Sequence, residues 1–141
     1  MFGEEFFVTQ QLRNLHILLV DGDPQAHDRV QQALGSGFSL RFASSLAEAR
    51  HCLEEAIPDV LICEVLLPDA SGLDICRQVR LSPALCHLPI MLLTTLSTIQ
   101  DKVAGFDAGT DDYVVKPFDA RYLVARIRLL SRLKRMEFNH N

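Results

Sequence analysis

Short apolar runs alternate with amphipathic segments along this chain. HILLV at 16–20, VLICE at 60–64 and IMLLT at 90–94 are nearly continuous in aliphatic residues. SLRFA at 39–43 alternates, and YVV at 113–115 is a brief fifth run. Near-continuous apolar strands are what a parallel sheet buried on both faces requires. The segments between them have helical spacing and helix punctuation. Asp23 before Pro24 sets an N-cap residue ahead of proline at the first helical position, and Gly35 stops that helix after Leu34. Ser45 and Glu48 form a capping-box pattern for a helix reaching about Ala56, and Pro58 closes it. Residues 71–81 place Leu73, Cys76 and Val79 on one face, with Ile75 beside them. Residues 98–108 carry Ile99, Val103 and Phe106 and end at Gly109. Asp119 caps a last helix that turns Leu123, Ile127 and Leu130 inward.

The pattern is β-α five times over. Right-handed crossovers then put helices on both faces of one sheet, so the predicted fold is α/β: a doubly wound, five-stranded parallel sheet. Function in such a sheet sits at the carboxyl ends of the strands. The residues there are Asp21, Gly22 and Asp23 after the first strand, Glu64 at the end of the third, Thr94 and Thr95 after the fourth, and Lys116 after the fifth. Carboxylates, a hydroxyl and a lysine converge from four separate segments, at positions where an unpaired charge is costly to bury.

These residues and their surroundings resemble the receiver domain of two-component response regulators. The matching stretches are ILLVDGDP, PDVLICEVLLPDASGLDICRQVR, PIMLLTTLS and VAGFDAGTDDYVVKPFDARYLVARIRLL, spanning about residues 15–135. The resemblance implies the (βα)5 flavodoxin-like fold and a role in phosphorelay signalling. It also implies an acceptor aspartate after the third strand, phosphorylated by a histidine kinase, and an acidic pair that holds Mg²⁺. By match, Asp21 is the first acid of that pair, Thr94 the switch hydroxyl, Tyr113 the switch aromatic and Lys116 the lysine that contacts the phosphoryl group.

The chain departs from the family at two positions. The acceptor position holds Glu64, and the second acid of the pair is replaced by Gly22. Mg²⁺ is held by one or two carboxylates in near-octahedral geometry. Asp21 remains and Asp23 is nearby, but Asp23 is better used as a helix cap, so Mg²⁺ binding through Asp21 is expected to be weak or absent. The extra methylene of Glu64 moves its carboxylate by about 1.5 Å, one carbon–carbon bond. A misplacement of about 1 Å can cost roughly 10²-fold in phosphoryl transfer. The expectation is a pseudo-receiver with no cofactor and no enzymatic activity, in which Glu64 pairs with Lys116 and signalling proceeds through protein–protein contact. The alternatives are a working phosphoacceptor at Glu64 or Asp69, and a small-molecule sensor using the altered pocket. An acid at the position of Asp69 points to solvent in the family, which argues against it as acceptor.

Charge then adds a candidate interface. Asp101, Asp107, Asp111 and Asp112 lie on the fourth helix and fifth strand, and Arg121 and Arg128 on the last helix. In the family this face forms dimers, so a homodimer through helix four, strand five and helix five is expected, besides a histidine kinase or an output domain as protein partner. Cys63 reads as a core thiol, and the five histidines share no metal-ligand spacing.

Composition narrows the setting. At 141 residues, 48% hydrophobic and 23% charged, the chain supports one domain with a core. A net charge of −4 argues against a nucleic-acid surface. No apolar run approaches the ~18–20 residues of a membrane span. The four cysteines include no C-x-x-C pair and read as reduced thiols in a cytoplasmic protein. Residues 1–14, with Phe2, Phe6, Phe7 and Val8, read as an N-terminal extension; 15–135 as the receiver-like domain; and 136–141 as a tail or linker start.

Overall fold

A computed structural model describes the backbone of residues 14–140. Five strands, β1 (Leu15–Val20), β2 (Phe38–Ala43), β3 (Val60–Cys63), β4 (Ile90–Thr94) and β5 (Asp112–Val115), pair in parallel in the order β2-β1-β3-β4-β5. Helices α1 (Pro24–Leu34), α2 (Leu46–Glu55), α3 (Gly72–Leu81), α4 (Ile99–Ala108) and α5 (Ala120–His140) connect or follow them. This is the doubly wound sheet expected from the alternation of runs.

Successive strand residues point to opposite faces, and the two faces bury different sets. Leu18, Val20, Leu61, Cys63, Ile90 and Leu92 pack with Leu53, Ile75, Cys76 and Val79 of α2 and α3. Ile17, Leu19, Ile62, Met91, Leu93 and Val114 pack with Val30 of α1 and Leu123, Ile127 and Leu130 of α5. Such two-sided burial is why the central strands read as unbroken apolar runs.

Local chemistry sets the helix starts. The Asp23 carboxylate accepts from Gln25 N at 3.0 Å with Pro24 behind it, and Gly35 leaves α1 at φ 64°. Ser45 accepts from Glu48 N at 3.1 Å, but the Glu48 carboxylate reaches back to Ser44 N at 2.7 Å, one residue beyond the expected box. Ser71 with Asp74 and Thr98 with Asp101 form complete boxes on α3 and α4. Asp119 accepts from Tyr122 N at 3.0 Å ahead of α5. The α5 backbone continues through residues 136–140, the stretch that sequence alone reads as a tail.

One apolar face is turned the other way. Ile99, Val103 and Phe106 of α4 are 74%, 52% and 50% exposed, and the buried residues of this helix are Gly105 and Ala108. Gly105 explains this: a Cβ there would lie 2.9 Å from a Leu92 methyl and 3.1 Å from the Tyr113 ring. The helix approaches the sheet on its small residues, which leaves its large ones in solvent.

Candidate functional site

The carboxyl edge of the sheet brings together the ends of β1, β3, β4 and β5. Glu64 N donates to Val20 O at 2.8 Å, and Lys116 N donates to Thr94 O at 2.8 Å, so the ladder itself fixes where these side chains start. Asp21, Glu64 and Thr94 are buried. The Lys116 ammonium bridges the two acids, at 2.6 Å from Asp21 Oδ2 and 2.9 Å from Glu64 Oε2. Burial on its own pushes the Lys116 pKa down. Hydrogen bonds and the charges of Asp21 and Glu64 outweigh that, and the net direction is up.

The remaining carboxylate oxygens are also engaged. Asp21 Oδ1 accepts from Asp23 N at 2.9 Å. Glu64 Oε1 accepts from Val65 N at 2.9 Å, from Leu66 N at 3.1 Å and from the Thr94 hydroxyl. Thr94 Oγ1 in turn accepts from Leu96 N at 3.3 Å. The longer side chain of Glu64 therefore curls back over its own following turn and still reaches both Thr94 and Lys116. Among the described residues, no buried side-chain nitrogen or oxygen lacks a partner.

This donor set does not fit Mg²⁺, the metal that the fold family implies. Both oxygens of Asp21 and of Glu64 are already hydrogen-bonded, and an ammonium lies between the two carboxylates, where it would repel a divalent cation. Asp23 is exposed and its side chain caps α1. At Gly22 a Cβ would lie 3.1 Å from Pro68 Cδ, so the loop after β3 packs where the missing carboxylate would start. Among the described residues, no group of three or more His, Cys, Asp or Glu is arranged to hold a metal ion.

The other candidates have definite placements. The Tyr113 hydroxyl donates to Leu96 O at 2.7 Å, and its ring packs on Gly105. Burial, then the charges of Asp101 and Glu64, push the Tyr113 pKa up. Asp69 does not simply point to solvent. It accepts from Leu46 N at 2.9 Å and Ala47 N at 3.2 Å, capping α2 from the loop after β3, and the Leu46 bond leads in holding its pKa low. Burial pushes the Cys63 thiol well up and Cys76 to about 11, so neither is a thiolate at neutral pH.

The charged residues of α4, β5 and α5 divide. Asp101 caps its own helix, and Asp107 is exposed. Asp111 pairs with Arg80 at 2.8 Å, and Asp112 with Arg126 at 2.7 Å. Arg121 is exposed. Arg128 sits over the ring of Phe38, the first residue of β2, at 5.3 Å. Ile99, Val103, Phe106 and Tyr122 give this side of the molecule an exposed apolar component.

Sequence reasoning missed two contacts. His27 Nε2 lies 2.6 Å from Asp21 O while its ring stacks on Phe42 at 4.5 Å, tying α1 and β2 to the Asp21 backbone. A groove of about 1070 Å³ opens above Asp21, Glu64 and Lys116, with Ala26 and Arg29 of α1 on one side and Leu66, Pro68 and Phe118 on the other. Its loops are apolar, which the spacing of strand-end residues alone does not reveal.

Comparison with known proteins agrees with this architecture. Residues 17–128 match the model of the response regulator receiver domain. Response regulator MprA of Mycobacterium leprae is 39% identical over 119 residues, covering 84% of this chain and 51% of that protein. The DNA-binding dual master transcriptional regulator RpaA of Synechocystis is 35% identical over 117 residues, covering 82% of this chain and 48% of that protein. The chain thus spans about half the length of the curated relatives it matches. A crystal structure of a response regulator from Chloroflexus aurantiacus superposes with a TM-score of 0.82 at 38% identity, covering 85% of this chain and 99% of that one. Among the described residues, no helix is long and apolar enough to cross a membrane. The match is to a signalling module rather than to an enzyme family, and the chain belongs to the receiver domains of two-component response regulators.

Proposed function

We propose that this receiver domain signals without phosphorylation, holding one conformation that partner proteins read. The observation that carries this is the engagement of Glu64 by both Thr94 and Lys116. In the receiver scheme those two groups contact the phosphoryl oxygens. Here the side chain at the acceptor position supplies the oxygens itself, with one negative charge in place of about two. Lys116 is shared between that charge and the one on Asp21, so the site carries one net negative charge with no added cation.

The fixed state is the switched one. The scheme couples recruitment of the hydroxyl to inward rotation of the aromatic on β5. Thr94 reaches Glu64, and Tyr113 is anchored on Leu96 O at 2.7 Å. A partner reads this state through surfaces next to the site: a histidine kinase or output module at the groove beside α1, or a second copy at α4, β5 and α5. The second copy is favoured by the exposed Ile99, Val103, Phe106 and Tyr122.

Titration with Mg²⁺ followed by amide NMR tests the reading. The expected result is no saturable shift at Asp21, Glu64 or Lys116. A saturable millimolar or tighter site at Asp21 would refute it.

A further inference from the structure

Helix α4 is thinly seated. Its buried residues are Gly105 and Ala108, while Ile99, Val103 and Phe106 face solvent. With little apolar area beneath it, its place depends on what holds its two ends. The start is held at the carboxyl edge of the sheet, where the Tyr113 hydroxyl donates to Leu96 O at 2.7 Å. The other end is held at the amino edge by Arg80, from the last turn of α3.

The Arg80 guanidinium gathers three separate segments. Nε donates to Gly109 O at 2.9 Å, where α4 ends. Nη1 donates to Cys86 O at 3.1 Å and to Leu88 O at 2.6 Å, in the loop that leads into β4. Nη2 donates to Asp111 Oδ2 at 2.8 Å, and the same oxygen accepts from Ile90 N at 2.9 Å. The pair thereby ties the first residue of β4 to the residue before β5. A planar fork with donors on three nitrogens serves these directions at once, whereas an ammonium is a point charge. With side chains 22% and 24% exposed, the Arg80–Asp111 pair is screened less than a surface ion pair. The stem fits as closely as the head. A Cβ at Gly109 would lie 2.7 Å from Arg80 Cγ, and Gly109 has φ 116°, so both space and backbone require glycine at this turn.

We propose that Arg80 is a positioning residue for α4. Acting through Gly109 and Asp111, it sets the seat of the whole helix, and with it the outward Ile99, Val103 and Phe106, from the edge of the sheet opposite Glu64. Loosening Arg80 frees α4 as a unit, with Tyr113 as its remaining tether, while α1 and α2 stay in place. This inference is independent of the phosphorylation reading, and a different measurement tests it.

Native-state hydrogen exchange of the full chain, followed by NMR, is that measurement. Arg80→Lys keeps the charge and removes the fork. Gly109→Ala leaves Arg80 intact and drives its stem aside. Arg77→Lys is the control, because Arg77 meets Asp74 on the exposed side of the same helix. Both test variants should quicken amide exchange along α4, including Val103 at its middle, by about tenfold or more. Amides of α1 and α2 should keep the rates of the control. Acceleration confined to residues 108–111 makes Arg80 a local turn contact and overturns the proposal. Equal acceleration in α1, α2 and α4 is a general loss of stability and overturns it too, as does an α4 that exchanges like the control.

Discussion

The Lys116 ammonium lies 2.9 Å from Glu64 Oε2, at the edge where β3 and β5 end on either side of β4. A lysine and a glutamate 52 residues apart share this contact because parallel strands deliver their ends to one edge. With Asp21 as second partner, the lysine holds together two buried acids that would otherwise repel each other.

Lys116→Met should therefore be strongly destabilising. It leaves Asp21 and Glu64 buried with no countercharge. Breaking a buried pair from one side costs about 3–5 kcal/mol, and residual solvent contact at the lysine puts this case towards the lower end. Urea unfolding gives the value. Glu64→Gln in the same background should recover part of the loss, because it removes one of the two stranded charges.

Stability should also fall at alkaline pH. The folded state raises the Lys116 pKa, so its contribution is fully present below the ordinary lysine value of about 10.4 and is lost as pH climbs through the raised one. Tyr113, also raised, acts in the same direction. Unfolding free energies from pH 7 upwards should be flat at first and then decline. Tyr113→Phe should remove part of the decline and Lys116→Met a further part, and the buried thiols of Cys63 and Cys76, also raised, supply the rest.

Thr94 is fully buried, and its hydroxyl donates to Glu64. Thr94→Val keeps the shape and removes the donor, leaving a buried carboxylate oxygen short of one bond. The expected cost is about 1–3 kcal/mol in chemical denaturation. Thr94→Ser should recover most of it.

If copies meet through α4, β5 and α5, the outward apolar residues carry the contact. Val103→Glu should weaken self-association in sedimentation equilibrium. Arg128→Glu should have the smaller effect, because Arg128 lies over Phe38 of β2, the sheet edge opposite β5. Equal effects of the two substitutions would place the interface elsewhere.

Much of this was legible in the sequence, for identifiable reasons. The strands are buried on both faces, so their apolar runs stand out. Caps at Asp23, Ser45 and Asp119 are local, and each is met within a few residues. The strand-end residues Asp21, Glu64, Thr94 and Lys116 were visible because strand ends share one edge. What was not legible depends on contacts distant in sequence. Spacing gives α4 an apolar stripe, but Gly105 against Leu92 and Tyr113 decides which face packs. Asp69 looks like a spare surface acid until α2 brings Leu46 N and Ala47 N to it.

On the proposed reading, restoring the family residues should confer phosphoacceptor chemistry. Glu64→Asp alone still lacks the second acid. Gly22→Asp alone meets Pro68, which must yield by a few tenths of an ångström. The combined Gly22→Asp and Glu64→Asp variant should gain Mg²⁺-dependent labelling by a small phosphodonor, read by mass spectrometry, that neither single variant shows.

The most direct test applies the same donor and Mg²⁺ to the unaltered protein, followed by intact-mass measurement and peptide mapping. The account predicts no added phosphoryl mass at Glu64 or Asp69, under conditions that label the doubly restored variant. Stoichiometric, Mg²⁺-dependent phosphorylation of Glu64 would contradict it.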